Sequence, residues 1–251
     1  MKICRVVFST NRLEYLVPTL ESHKDMVDFG EHEVHNILID DYPLNRNDDE
    51  IIALAKHFKF EEVVLHPVNK GLTLTWTELW NYLAQQDYDY IWHHEDDVVF
   101  KEKVSIDKLI RFLKRYPAFC QVNLKRQPWY EKELQETPTL STDQFFEDSR
   151  FNVRDDFFWS MASLYPSWVC KEPIVQTERC NLAEYPIMKY MKEQFHMKMA
   201  ILKGDDGRNL VDHIGFYSQG IRVLEGEPGW EGFKMYDPTK KYDSKTGKLF
   251  E

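Results

Sequence analysis

Two rhythms of apolar and polar positions alternate over the first hundred residues. Short apolar runs at Ile3 to Ser9, Val34 to Ile39, Glu62 to Leu65 and Tyr88 to Trp92 have the length and the β-branched or aromatic content of buried strands. Between them, apolar residues return every three or four positions. Ile51, Ile52, Ala55 and Phe58 share one face of a helix that Asp48 can cap, with Asp49 and Glu50 in its first turn. Leu72, Trp76, Leu79, Trp80 and Leu83 form the apolar stripe of a second helix. The resulting βαβαβ order predicts an α/β fold, a mainly parallel central sheet covered by helices as an α/β/α sandwich.

Beyond residue 100 the pattern continues less regularly. Residues 105 to 115 are expected to form an amphipathic helix with Ile106, Leu109, Ile110 and Leu113 inward. Strands are expected at Phe119 to Leu124, Phe157 to Leu164 and Met199 to Leu202, and a helix over Tyr185 to Phe195. The polar stretch from Gln127 to Arg154 reads as a long loop. No internal repeat is present. The expected organisation is one domain over 1–251, divided into segments 1–100 and 101–225 with a tail at 226–251.

Composition narrows the function classes. With 43% hydrophobic residues in 251, the chain can bury one sizeable core. A formal charge of -10 argues against broad nucleic-acid binding, which relies on neutralising phosphates. No stretch approaches the roughly 18 apolar residues of a membrane span, and the start reads as a strand rather than a signal peptide. Cys4, Cys120, Cys170 and Cys180 lack Cys-x-x-Cys spacing, so reduced thiols and a cytoplasmic protein are expected.

The chemistry concentrates where predicted strands end. His94-Glu95-Asp96-Asp97 follows the fourth strand, and the carboxyl ends of strands are where open α/β sheets bind ligands. Adjacent carboxylates repel one another unless a cation joins them. A hard divalent ion, Mn2+ or Mg2+, held by one or two carboxylates together with substrate phosphates would do so. Ser9-Thr10-Asn11-Arg12 follows the first strand, Asp40-Asp41 the second, and His66, Asn69, Lys70 and Gly71 the third. An aspartate after the second strand can accept from a base or ribose, or can simply form an Asp-rich turn. Asn69 and Gly71 would let backbone approach a diphosphate. His213, between apolar residues, is either a structural histidine or a nitrogen ligand, for which manganese is the best fit. Neither Gly-x-Gly-x-x-Gly nor Gly-x-x-x-x-Gly-Lys-Ser/Thr occurs, which weakens dinucleotide and P-loop readings.

Taken in order, Ser9-Thr10-Asn11-Arg12, Asp40-Asp41, Asn69-Lys70-Gly71, Glu95-Asp96-Asp97 and His213-Ile214-Gly215 resemble the GT-A glycosyltransferases, particularly the inverting family-two group. The resemblance implies a metal-dependent transferase that moves a hexosyl or pentosyl group from a nucleoside-diphosphate sugar to an acceptor hydroxyl on a glycan, lipid, protein or modified nucleotide. It implies an Asp-x-Asp-like metal motif at Glu95 and Asp97, with glutamate as the first acid, and His213 as a further ligand. Thr10, Asn11, Arg12, Asp40, Asp41, Asn69, Gly71 and Asp96 then frame the nucleotide. For the catalytic base it points to an acid at a helix start, Glu184, with Asp155 and Asp156 as the other candidates. Trp129, Tyr130, Phe158, Trp159 and Trp168 are either core or stacking platforms for an acceptor. A silent nucleotide- or carbohydrate-binding protein, a nucleotidyltransferase and a retaining enzyme of the same fold are the competing readings.

Overall fold

Strand β1 (Lys2–Ser9) is buried along nearly its whole length, because helices cover both faces of the sheet it belongs to. The computed structural model describes residues 1–42, 46–127, 144–154, 161–172, 184–204 and 208–214. After β1 come α1 (Leu13–Met26), β2 (Val27–Asp28), β3 (Glu33–Asp40), α2 (Asp48–His57), β4 (Glu62–Leu65), α3 (Leu72–Leu83), β5 (Tyr90–Glu95), β6 (Val98–Phe100), β7 (Val104–Ser105) and α4 (Ile106–Arg115). The remainder comprises β8 (Phe119–Leu124), β9 (Arg126–Gln127), β10 (Gln144–Phe146), β11 (Ser149–Arg154), β12 (Ser163–Pro166), α5 (Glu184–Phe195), β13 (Lys198–Lys203) and β14 (Val211–His213).

Nine strands form the main sheet in the order β10-β11-β13-β8-β12-β5-β1-β3-β4. Neighbours β4, β3, β1 and β5 are all parallel. The expected mainly parallel sheet is therefore present, with β12 and β11 reversed. Helices α1, α2 and α4 cover one face through Leu16, Leu20, Ile51, Ala55, Leu109 and Phe112. Helices α3 and α5 cover the other through Trp76, Trp80, Leu83, Ile187 and Met191. A small second sheet, β6-β14-β9, stands beside the end of β5.

Several boundaries differ from the sequence pattern, each for a physical reason. Helix α1 carries Pro18 in its interior, a residue that reads as a break, yet Leu16, Thr19, Leu20 and His23 are buried along its inner face. Asn47 rather than Asp48 caps α2, accepting from the Glu50 N–H at 3.4 Å. Ile52 and Leu72 lie outside the apolar contacts, at 48% and 40% exposure. The stretch from Gln127 to Arg154 is not all loop: β10 and β11 pair antiparallel and extend the sheet past β13. Of the strand expected at Phe157 to Leu164, residues 157–160 and the aromatic candidates Phe158 and Trp159 lie outside the described residues, as do Trp129 and Tyr130; the described strand is Ser163–Pro166. Strand β5 runs on to Glu95, so His93 and His94 are fully buried within the sheet.

These buried histidines are held neutral. The Trp92 indole N–H donates to His23 Nε2 at 3.0 Å, so that nitrogen must carry no proton. Arg5 Nε donates to His94 Nε2 at 3.3 Å, leaving the His94 proton on Nδ1 to meet the Glu95 carbonyl at 3.1 Å. Burial, then the charge of Arg5, pushes His23 well below its ordinary value, and burial alone takes His93 down to about 3. An unfolded histidine takes up its proton near pH 6.5, whereas the fold refuses it. The unfolded state therefore binds more protons below that pH, and stability falls as pH drops, by about 1.4 kcal/mol per such histidine at pH 5.5. We predict that His23→Gln, which keeps an acceptor for Trp92, loses less melting temperature than the parent between pH 7.5 and 5.5, by roughly 3–6 °C. Equal losses in thermal melts of the two proteins would count against the neutral histidine.

Candidate functional site

Because β1, β3, β4 and β5 run parallel, their carboxyl ends deliver Thr10 to Arg12, Asp40-Asp41, His66 and Glu95 to one rim of the sheet. The loop after β1 is gripped by acids from two other strands. Asn11 takes a left-handed φ of 57°, a conformation asparagine tolerates. Its N–H donates to Asp40 Oδ2 at 2.6 Å, while the Thr10 N–H donates to Asp96 Oδ2 at 3.1 Å.

Asp40 and Asp41, both buried, organise the neighbouring loops. Asp40 Oδ1 accepts from the Tyr42 N–H at 3.2 Å and from Arg46 at 3.1 Å. Arg46 also donates to the carbonyls of Asp40 and His66, tying the ends of β3 and β4 together. Asp41 receives the N–H groups of Lys70 at 3.0 Å and Gly71 at 2.7 Å, and His66 Nδ1 at 2.6 Å. It thereby shapes the turn in which Gly71 adopts φ 78° before α3, a region where a side chain would be strained. Asn69 stands exposed in that turn.

At the end of β5 the chain places Glu95, Asp96 and Asp97 in succession, with Asp96 and Asp97 almost wholly buried. Arg12 bridges the buried pair. Its guanidinium meets Asp96 through Nε at 3.2 Å and through a close Nη2 contact, and the same Nη2 lies 2.9 Å from Asp97 Oδ2. Thr19 of α1 donates to the Asp96 carbonyl at 2.7 Å, fixing the turn from the helix side. Burial raises the Asp96 carboxyl, and the charge of Asp97 adds to this against the pull of Arg12. Burial acts the same way on Asp97, but Arg12 and His213 outweigh it and hold that carboxyl below the usual range.

His213 arrives from β14, which pairs antiparallel with β6 so that His213 faces Val98. The Ile214 N–H donates to the Asp97 carbonyl at 2.9 Å, locking the two segments together. His213 Nε2 then lies 3.4 Å from Asp97 Oδ2. One ligand atom from each of Glu95, Asp97 and His213 falls within 4.8 Å of the others. Two ligands of one ion, each about 2.1–2.2 Å from it, sit roughly 3–4.4 Å apart, so the Asp97–His213 spacing is that of neighbouring positions. Asp97 Oδ1 is buried with no hydrogen-bond donor among the described residues, an oxygen that a cation would satisfy. Two carboxylates and an imidazole thus fit a divalent ion that accepts mixed oxygen and nitrogen ligands.

Glu184 is the first residue of α5. Asp155 and Asp156 lie outside the described residues. Two contributors escaped the sequence reading. Thr19 belongs to the helix that Pro18 disguises, and Arg46 carries no motif: its role depends on the proximity of β3 and β4.

No protein-family model matches the sequence, and no curated protein matches it. Among solved structures, the fold matches that of S. aureus TarS, a GT-A-type glycosyltransferase. The structure of TarS 1-349 with UDP aligns with TM-score 0.55 at 15% identity, over 84% of this chain and 60% of that one. The UDP-GlcNAc complex aligns with TM-score 0.53 at 13% identity, over 84% and 58%, and a further TarS 1-349 structure with TM-score 0.51 at 13%, over 87% and 63%. The chain spans about 60% of the length of the TarS 1-349 chains it matches. At these identities the likeness is one of fold: the chain has the GT-A architecture, a mixed α/β layer structure on a large, mostly parallel sheet.

Asp41→Ala should strip acceptors from two backbone N–H groups and one imidazole at once. The expected cost is about 2–3 kcal/mol, read as a fall of roughly 5–10 °C in melting temperature. An unchanged melting temperature would mean that the Gly71 turn does not depend on this carboxylate.

Proposed function

We propose that this chain is a metal-dependent glycosyltransferase that moves a sugar from a nucleoside-diphosphate sugar to an acceptor hydroxyl with inversion at the anomeric carbon. The observation that carries the reading is the gathering of Glu95, Asp97 and His213 at the carboxyl rim of a GT-A sheet, the fold of a protein crystallised with UDP and UDP-GlcNAc. In this reading those three residues hold Mn2+ or Mg2+. Thr10, Asn11, Arg12, Asp40, Asp41, Asn69, Gly71 and Asp96 frame the nucleotide, partly by setting the loops whose backbone meets it. When bound, the ion supplies Lewis-acid stabilisation of the charge that builds on the departing diphosphate.

The chain's own residues supply the rest. An acceptor oxygen attacks the anomeric carbon opposite the leaving oxygen, the bond from that carbon to the diphosphate breaks, and the hydroxyl proton passes to a carboxylate within hydrogen-bond reach. We assign that base to Glu184, at the start of α5, with Asp155 and Asp156 as the other candidates. The acceptor belongs to the class of glycan, lipid, protein or modified-nucleotide hydroxyls. No described helix is long and apolar enough to cross a membrane. The unpaired thiols of Cys4, Cys120 and Cys170 accord with a reducing, cytoplasmic setting.

Calorimetry with UDP and Mn2+, followed by a UDP-release assay over a panel of nucleotide-sugars, tests the reading. Asp97→Ala is expected to lose Mn2+-supported UDP binding and to remain folded. Glu184→Gln should keep donor affinity and lower turnover by roughly 10²–10⁴-fold, and NMR of the product should show the anomer opposite to the donor's. Full activity in Asp97→Ala would remove the ion site. Undiminished turnover in Glu184→Gln would move the base to Asp155 or Asp156, and UDP binding without release on any donor would make the protein a silent binder.

A further inference from the structure

We infer that Arg12 is a built-in counter-cation of the acidic motif, which occupies Asp97 in the ion-free protein and is handed to the donor's diphosphate when a divalent ion takes its place. The inference rests on the metal-dependent reading above and goes beyond it by making ion and nucleotide binding interdependent.

The contacts of Arg12 are unequal. Asp96 receives two of them, through Nε and Nη2, in the side-by-side manner that suits a planar guanidinium. Asp97 receives one, from Nη2 to Oδ2 at 2.9 Å. The pair with Asp96 is the anchor, and the pair with Asp97 is the tie that can be released without freeing the side chain. That tie falls on Oδ2, the oxygen lying 3.4 Å from His213 Nε2, so an ion held between Asp97 and His213 either shares that atom with the guanidinium or, bound through Oδ1, sits beside its charge.

Charge makes the competition consequential. Glu95, Asp96 and Asp97 carry three negative charges when ionised, and Arg12 offsets one. Its side chain is only 11% exposed, so water screens it little from a second cation a few ångströms away. Bound beside Asp97, Arg12 must repel a divalent ion. A diphosphate changes the balance by offering the fork a second anionic partner. The backbone is arranged for a small movement: Arg12 lies in the turn before α1, where its carbonyl accepts from the Tyr15 and Leu16 N–H groups at 2.9 Å. The main chain is held while the side chain turns.

The test uses the full chain, with Mn2+ alone and Mn2+ with UDP as probes, read by calorimetry and thermal melting rather than turnover. In the parent protein, UDP should tighten Mn2+ at least tenfold. Arg12→Met should bind Mn2+ alone at least tenfold tighter than the parent, lose most of the UDP effect, melt lower without metal and gain more than the parent from added Mn2+. Arg12→Lys, which keeps the charge without the fork, should bind Mn2+ alone as weakly as the parent. Parent protein whose Mn2+ affinity ignores UDP overturns the inference without recourse to a variant, and so does Arg12→Met that binds Mn2+ no tighter. In both of those cases the ion site itself survives. If neither parent nor variants bind Mn2+ under any condition, the metal-dependent reading falls with it.

Discussion

A carboxylate withdrawn from water must be met by donors or cations, and the candidate site is built around that requirement. Asp40, Asp41 and Asp96 stand at the ends of two strands, β3 and β5, or just beyond them, and each takes N–H groups or cationic side chains from a neighbouring segment. The loop after β1, the turn before α3 and the link from β3 to β4 owe their shapes to these acceptors. The acids are thus the framework of the rim as well as its charge. Asp97 differs, being buried with one oxygen that meets no donor among the described residues and the other shared between Arg12 and His213.

Much of this was legible in the chain because two signals are local. Periodicity marked β1, β3, β4 and the helices α2 to α5 within a few residues, since a strand or helix buried on a sheet must repeat its apolar positions. The order of polar residues after those strands placed Thr10, Asp40 and Glu95 at one rim, since parallel strands end on the same side. What stayed hidden depended on context. Pro18 breaks the helical signal of α1 even though tertiary packing of Leu16 and Leu20 holds the helix. The hairpin of β10 and β11 mixes polar Gln144, Ser149, Arg150 and Asn152 with Phe145, Phe146 and Phe151 in runs too short to read as strands until β13 supplies a partner edge. His93 and His94 read as part of a polar motif, whereas the strand carries them into the interior.

The division of labour among the acids was equally beyond sequence. Adjacent aspartates at Asp96 and Asp97 have the same chemistry, yet one faces the β1 loop and the other faces β14. Only geometry separates the residue that fixes the scaffold from the residue left with an unmet oxygen. The same holds for Arg12, which a motif would assign to phosphate and which the structure ties to carboxylates.

The small sheet formed by β6, β14 and β9 carries a consequence for how the site comes into being. Glu95 and Asp97 emerge with the early half of the polypeptide, but His213 reaches them only when β14 docks against β6 from far downstream. Closing so long a loop is a slow, late event compared with local helix formation. The acidic half of the rim is therefore synthesised well before its histidine, and a ribosome-bound intermediate would display Glu95 and Asp97 without His213 until β14, the last described strand, has left the tunnel.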